Sequence, residues 1–203
     1  MKIGILGSGT VGSNMGRAWA ASGHQVMFGS REPGGAKMRA LLAEIGAGAA
    51  AGTAAEAVTF GDVIAIALPW TVLPDVLASA GDWSGKIVID ATNRFSDPPA
   101  GSASLTEDIA RQTGAHVVKA LNTIGAEHYV DPTFSGQPAT AFICGDDDGA
   151  KAAVASLVTD MGFEVIDIGP LTNAALLDNL ARLWVALARS GFGRDFAFRI
   201  LTK

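Results

Sequence analysis

Lys2-Ile3-Gly4-Ile5-Leu6-Gly7-Ser8-Gly9-Thr10-Val11-Gly12 opens the 203-residue chain, one residue after its first methionine. The apolar run Lys2 to Leu6 reads as a strand, and the residues after it, with Val11, Met15 and Trp19 on one face, read as a helix. Between them Gly7, Gly9 and Gly12 form G-x-G-x-x-G in strand–turn–helix context. In that pattern Gly7 permits the tight turn, Gly9 lets the backbone come close to a pyrophosphate, and Gly12 brings helix against strand. The start of the helix, at Thr10, Val11 and Gly12, would offer free N–H groups and a partial positive charge to phosphates. The stretch predicts a dinucleotide site at the head of a β-α-β chain.

The alternation continues downstream. Strands are expected at Gln25 to Phe28, Gly48 to Ala51, Val63 to Leu68, Lys86 to Asp90, His116 to Leu121, Ala139 to Cys144 and Glu164 to Ile168. Most are apolar throughout, as required when helices cover both faces of a sheet. Met38, Leu41, Leu42 and Ile45 line one face of a helix. Gly23, Gly46, Gly114 and Gly162 stand where helices should end. Thr53 to Glu56 and Ser104 to Glu107 read as capping boxes, and Pro74 suits a first helical turn. This order predicts an α/β fold: a Rossmann-type doubly wound, mostly parallel sheet of about eight strands with a C-terminal helical segment. Residues 1–203 are expected to form a single nucleotide-binding domain, with residues 171–203 as its helical extension. Arg94 to Ser104, with Pro98-Pro99 and Gly101, reads as a long loop.

Composition narrows the function classes. A chain with 49% hydrophobic and 17% charged residues is not disordered. Its net charge of −5, without a Lys/Arg cluster, argues against nucleic acid as a partner. Cys144 is the lone cysteine and cannot staple the fold, and no Cys/His spacing suits zinc. No signal peptide or membrane span is read, so a soluble protein of the cytoplasm is expected. Ala174 to Ala188 is apolar over more than one stripe but is interrupted by Asp178 and Arg182. It reads as a helix packed on the sheet that also shares in a homodimer interface.

The end of the second strand selects the nucleotide. NAD sites usually place Asp or Glu there to hold the ribose 2′-hydroxyl, whereas this chain has Gly29-Ser30-Arg31. The Ser30 hydroxyl and the Arg31 guanidinium can bind a 2′-phosphate, Lys37 can add a point charge, and Gly29 is expected to open the approach. NADP is therefore expected.

Taken with Gly23-His24-Gln25-Val26, Asp90-Ala91-Thr92-Asn93, Val117 to Ile124 and the tail Gly193 to Phe198, the sequence resembles the coenzyme F420-dependent NADP oxidoreductases. Their relatives include the oxidoreductase domains of metalloreductases. The resemblance implies that Ser8, Ser30, Arg31 and Lys37 hold the 2′-phosphate and that Leu68, Pro69 and Trp70 pass the cofactor's middle. It also implies that Asn93 lies near the nicotinamide half, that the Ala126 backbone receives the carboxamide, and that Asn122 and Ile124 face a deazaflavin or flavin ring. The archaeal F420 enzymes typically carry His in place of Asn122 and Pro in place of Gly125, so the acceptor could be F420, FMN or FAD.

Hydride passing directly between nicotinamide and a flavin-like ring needs positioning more than side-chain chemistry. His128 and Tyr129 are the candidates for acid–base work, against a reading as rim residues packed on the neighbouring loop. His24 and His116 read as a turn and a strand start, and Trp70 as either a ring cover or a packing residue. Two other classes stand beside a small-molecule hydride exchange. One is a reductase of small carbonyl or imine substrates. The other is a non-catalytic NADP(H) sensor using the exposed-looking segment Gly191 to Lys203.

Overall fold

Eight strands join in one sheet in the order β10-β9-β6-β5-β4-β1-β2-β3. They are β1 (Lys2–Leu6), β2 (Gln25–Gly29), β3 (Ala49–Gly52), β4 (Val63–Ile66), β5 (Ile87–Asp90), β6 (His116–Lys119), β9 (Thr140–Gly145) and β10 (Glu164–Asp167). The structure is a computed structural model that describes residues 1–96 and 104–203. The expected loop over Arg94 to Ser104 therefore falls largely outside the described residues, Pro98, Pro99 and Gly101 included.

The first helices, α1 (Thr10–Ala21) and α2 (Ala36–Ile45), cover one face together with α6 (Asp148–Asp160); α3 (Ala54–Phe60), α4 (Leu73–Ser79) and α5 (Leu105–Thr113) cover the other. The central strands feed both layers. Ile3, Ile5, Phe28 and Ile89 meet Met15, Trp19 and Val154 on one side, and Leu6, Ile64, Ile66 and Val88 meet Val58, Leu77 and Ile109 on the other. This two-sided burial is why the strands are apolar without alternation. The Thr53 box closes fully, with Thr53 accepting from the Glu56 amide and Glu56 accepting from the Thr53 amide. Gly23, Gly46, Gly114 and Gly162 all take positive φ beyond helix ends.

Most strand ends fall within one residue of the sequence reading, and two stop two residues short of it. Strand β4 stops at Ile66 rather than Leu68, before Pro69, and β6 stops at Lys119 because Leu121 turns to φ 63°. The sheet is parallel except where β9 lies antiparallel to β6. No helix intervenes between those two strands, so the chain does not cross back over the sheet before pairing again. Instead residues 120–139 contain a 3-10 turn, Ala126–His128, and a hairpin of β7 (Thr133–Phe134) and β8 (Gln137–Pro138). The sequence reading missed that hairpin. Its signal is Ser135-Gly136, at φ 50° and 76°.

The last helix, α7 (Ala174–Leu187), buries Ala174, Leu177, Ala181 and Trp184. Leu176 and Leu183 stay 60% and 49% exposed, so the surplus apolar surface read from the sequence is left uncovered. Beyond Phe192 the tail is not helical. It is anchored through Arg194, whose guanidinium donates to both Glu127 oxygens (2.6 and 2.9 Å) and lies over the Trp184 ring (4.9 Å). Phe196 stacks on Trp184, and the Phe198 carbonyl accepts from the Thr140 amide. Among the described residues no helix is long and apolar enough to cross a membrane.

Candidate functional site

Sheet register gathers the sequence-selected residues at one edge. Gly52, Gly29, Leu6, Ile66, Asp90 and Lys119 align across six parallel strands. The segments that follow them, carrying Gly7 to Gly12, Ser30-Arg31, Leu68-Pro69-Trp70, Asn93 and Asn122, therefore all leave the same carboxyl edge. Strand order reverses between β1 and β4, which is where open α/β sheets leave a crevice for a ligand.

The three motif glycines have different physical duties. Gly7 sits at φ 112°, and a Cβ there would lie 2.5 Å from the Ala67 carbonyl oxygen. A Cβ on Gly12 would come within 2.0 Å of the Gly7 oxygen, so α1 can pack this close to β1 only with glycine. Gly9 is exposed, has an ordinary φ of −73°, and a Cβ there would meet nothing within 4 Å. The fold itself makes no demand for glycine at position 9. Helix α1 begins there without a side-chain cap and with no acidic residue in its first turn, and its first backbone bond beyond the cap is from Ser13 to Gly9. The N–H groups of Thr10, Val11 and Gly12 thus lie ahead of the intrahelical ladder, beside an open cradle fitted to a phosphate.

At the end of β2, Ser30 Oγ accepts from the Glu32 amide and keeps its own proton free to donate. Arg31 is exposed and pairs with no described residue, Glu32 included. Lys37 lines a cavity of about 210 Å³ between α1 and α2 with Ser8, Ser13, Arg17, Met38 and Glu44. Gly29 corrects the expectation made for it. A Cβ would lie 2.8 Å from Leu6 and 3.1 Å from Ala54, so glycine there serves packing of β1 and α3. Trp70 is 37% exposed, while Leu68 packs against the α3–α5 layer.

On the other side of the switch point, Asn93 and Asn122 form a reciprocal amide pair. Asn93 Nδ2 donates to the Asn122 carbonyl (2.9 Å), and Asn122 Nδ2 donates to Asn93 Oδ1 (3.1 Å) and to the Leu177 carbonyl (3.2 Å). Asn122 is 4% exposed, and its Oδ1 finds no hydrogen-bond partner among the described residues. Leu121 beside it is held in its left-handed conformation by the Tyr129 hydroxyl, which donates to the Leu121 carbonyl. Burial pushes the Tyr129 phenol well above its usual range. His128 packs edge-on to Phe134, with Nε2 3.0 Å from the Arg194 carbonyl. Both side chains are thus engaged in hydrogen bonds and ring contacts with the neighbouring loop and tail. The Ala126 carbonyl accepts from Asn14 Nδ2 of α1 (2.8 Å), and Ile124 is half-buried against the α1 layer. His24 sits against Asp160 and His116 against Asp147, both away from the carboxyl-edge loops.

Sequence reasoning missed the polar hub behind this pair. Lys119, fully buried, contacts Asp90 Oδ2 (3.2 Å), the Thr92 carbonyl (2.8 Å) and Asp178 Oδ1 of α7 (2.8 Å). The last is an ion pair without hydrogen-bond alignment. Asp90 also accepts from Thr92 and Thr106. Removing such ions from water costs several kcal/mol each, so their partners are essential. Burial is the largest influence on Lys119 and acts to lower its pKa, but the two carboxylates outweigh it and hold the ammonium charged. The available signal was a lysine inside an otherwise apolar strand. Burial also pushes the neighbouring Cys144 thiol up to about 12, which leaves it unreactive.

Comparison with known proteins gives the chain's relatives. Residues 2–94, which carry the glycine loop and Ser30-Arg31, match the family model for coenzyme F420-dependent NADP oxidoreductase. A solved structure from Arthrobacter sp. FB24, described provisionally as an F420-dependent NADP reductase, is 32% identical, with all of both chains covered and a TM-score of 0.88. The Sinorhizobium meliloti protein SMa0349 is 27% identical, with 100% of this chain and 96% of that one covered and a TM-score of 0.78. Metalloreductase STEAP3 of Rattus norvegicus is 30% identical over 178 residues, 85% of this chain. The chain spans only 35% of that relative's length.

Proposed function

The chain belongs to the family of coenzyme F420-dependent NADP oxidoreductases, and on that premise we propose that it binds NADP(H) along the carboxyl edge of its sheet and exchanges hydride with a deazaflavin or flavin-type acceptor. The observation that carries the reading is the cradle at Gly9, where the fold leaves open space against an uncapped helix start. In this reading the N–H groups of Thr10, Val11 and Gly12 bind the pyrophosphate. Ser8, Ser30, Arg31 and Lys37 bind the 2′-phosphate, which the absence of a carboxylate at 29–31 favours over a bare 2′-hydroxyl. Leu68, Pro69 and Trp70 border the middle of the nucleotide, Asn93 and the Ala126 backbone orient the nicotinamide half, and Ile124 with Asn122 adjoins the acceptor.

The bound nucleotide supplies the hydride; the protein holds two ring planes in contact and keeps water from between them. No described side chain has to act as acid or base, which fits the structural duties of His128 and Tyr129. The reading also includes a cytoplasmic protein that works as a homodimer through the exposed face of α7.

Anaerobic NADPH oxidation assayed side by side with F420, FMN, FAD, a quinone and a ferric chelate tests the proposal. Turnover is expected with the deazaflavin or a flavin. Arg31→Ala should raise KM for NADPH at least about tenfold, the worth of one charge-assisted hydrogen bond, and leave KM for NADH nearly unchanged. Tight NADPH binding with every acceptor idle would make the protein a nucleotide sensor, and equal losses for both nucleotides would remove the 2′-phosphate assignment.

A further inference from the structure

We propose that Lys119 and Asp178 form a clamp that positions the Asn93–Asn122 amide pair, so that helix α7 sets the geometry of the cleft. The role is positional rather than catalytic, and it rests on reading this sheet edge as the hydride-transfer site. The Lys119 ammonium reaches three separate segments: the end of β5 at Asp90, the loop after it at the Thr92 carbonyl, and α7 at Asp178. Asn93 follows Thr92 directly, and Asn122 lies three residues beyond Lys119. The second tie to α7 runs through the Leu177 carbonyl, one residue before Asp178, which accepts from Asn122 Nδ2. One helical turn therefore holds both the cation and the amide.

Stability alone gives little reason for this arrangement, because a well-packed apolar trio is often as stable as buried ions or more so. Geometry gives a reason. Leu121, between Lys119 and Asn122, sits at φ 63°, a conformation that a β-carbon residue holds only when its surroundings impose it. The Tyr129 hydroxyl fixes one side of that bend and the clamp fixes the other. Beside the same bend, Asn122 Oδ1 is buried without a hydrogen-bond partner among the described residues, an arrangement that would relax if α7 moved away.

The test compares Asp178→Ala, Asp178→Asn, Asn122→Ala and the double variant Asp178→Ala/Asn122→Ala in the full chain. Amide hydrogen exchange over residues 120–126 should accelerate at least about tenfold in Asp178→Ala and less in Asp178→Asn, with the glycine loop unchanged. With the acceptor that wild type reduces, kcat should fall at least about tenfold while the NADPH Kd stays within about twofold. Adding Asp178→Ala to Asn122→Ala should cost little more, because the two act as one unit. Unchanged exchange over 120–126, or multiplicative losses in the double variant, would overturn the clamp. Wild type that reduces no acceptor would defeat the hydride reading, and the exchange result would still decide the clamp. Lys119→Met leaves Asp90 buried without its cation; if it fails to fold, the Asp178 variants decide the matter alone.

Discussion

Glycine 9 shows how a single residue can be read for function once its surroundings are known. In the sequence, Gly7, Gly9 and Gly12 are equal members of one motif, but only Gly9 lacks a steric reason inside the protein. Gly9→Val is therefore expected to fold with a loss of about 1 kcal/mol or less, chiefly from exchanging a tolerated N-cap residue for a poor one. It should nonetheless abolish binding of both NADPH and NADH. Gly12→Val should lose about 3 kcal/mol, because its Cβ would have to displace the Gly7 carbonyl. Thermal melts set beside nucleotide titrations separate the two cases, and a stable Gly9→Val that still binds NADPH would show that the loop does not cradle phosphate. Residue chemistry was legible at Arg31 for the same reason: an exposed guanidinium with no described partner is a feature of local sequence. Lys119 was not legible, because its meaning depends on Asp178, distant in the chain and brought to it by α7.

At the level of elements, the tail is tied to the Ala126–His128 turn by the exposed ion pair of Arg194 with Glu127, beside the contact of His128 Nε2 with the Arg194 carbonyl. The Arg194 guanidinium donates to Glu127 and holds its carboxyl below the ordinary 4.5, so this tie is complete above that range and is lost as pH falls through the lowered value. Surface pairs contribute little to global stability, so the expected effect is local. Lowering the pH through the lowered Glu127 value should expose the tail to proteolysis before the chain unfolds, as should Glu127→Gln at neutral pH. Limited proteolysis followed by mass spectrometry checks this, and equal cleavage of wild type and Glu127→Gln at neutral pH would mean that the Phe196 stack and the backbone bond of Phe198 to Thr140 hold the tail without the ion pair. The segment that sequence read as exposed is thus partly seated, because Phe196 stacks on Trp184 and the Phe198 carbonyl accepts from Thr140 at the start of β9.

Across the whole molecule, the antiparallel junction of β6 and β9 raises the question of how residues 140–167 are bound to the rest. Part of the answer is that α1 caps α6. Trp19 Nε1 donates to the Leu157 carbonyl (2.9 Å) and Ser22 Oγ to the Asp160 carbonyl (2.9 Å), two of the acceptors that a helix end leaves unpaired. Trp19→Phe strands one of them in the core and should cost about 2 kcal/mol. Unfolding should remain a single transition, with urea curves followed by circular dichroism and by fluorescence coinciding. Two separated transitions would divide the chain into two units. The eight strands of the main sheet, the glycine turn and the carboxylate-free stretch Gly29-Ser30-Arg31 could all be read from the sequence, because each depends on residues a few positions apart: two-sided burial makes strands apolar, and a tight strand-to-helix turn needs glycines at fixed spacing. Tertiary structure alone decided the reversal of β9, the seating of the tail and the hub of Lys119, Asp90 and Asp178. Those depend on which segments meet across the sheet, and the energy of a buried charge is fixed by partners that local sequence does not contain.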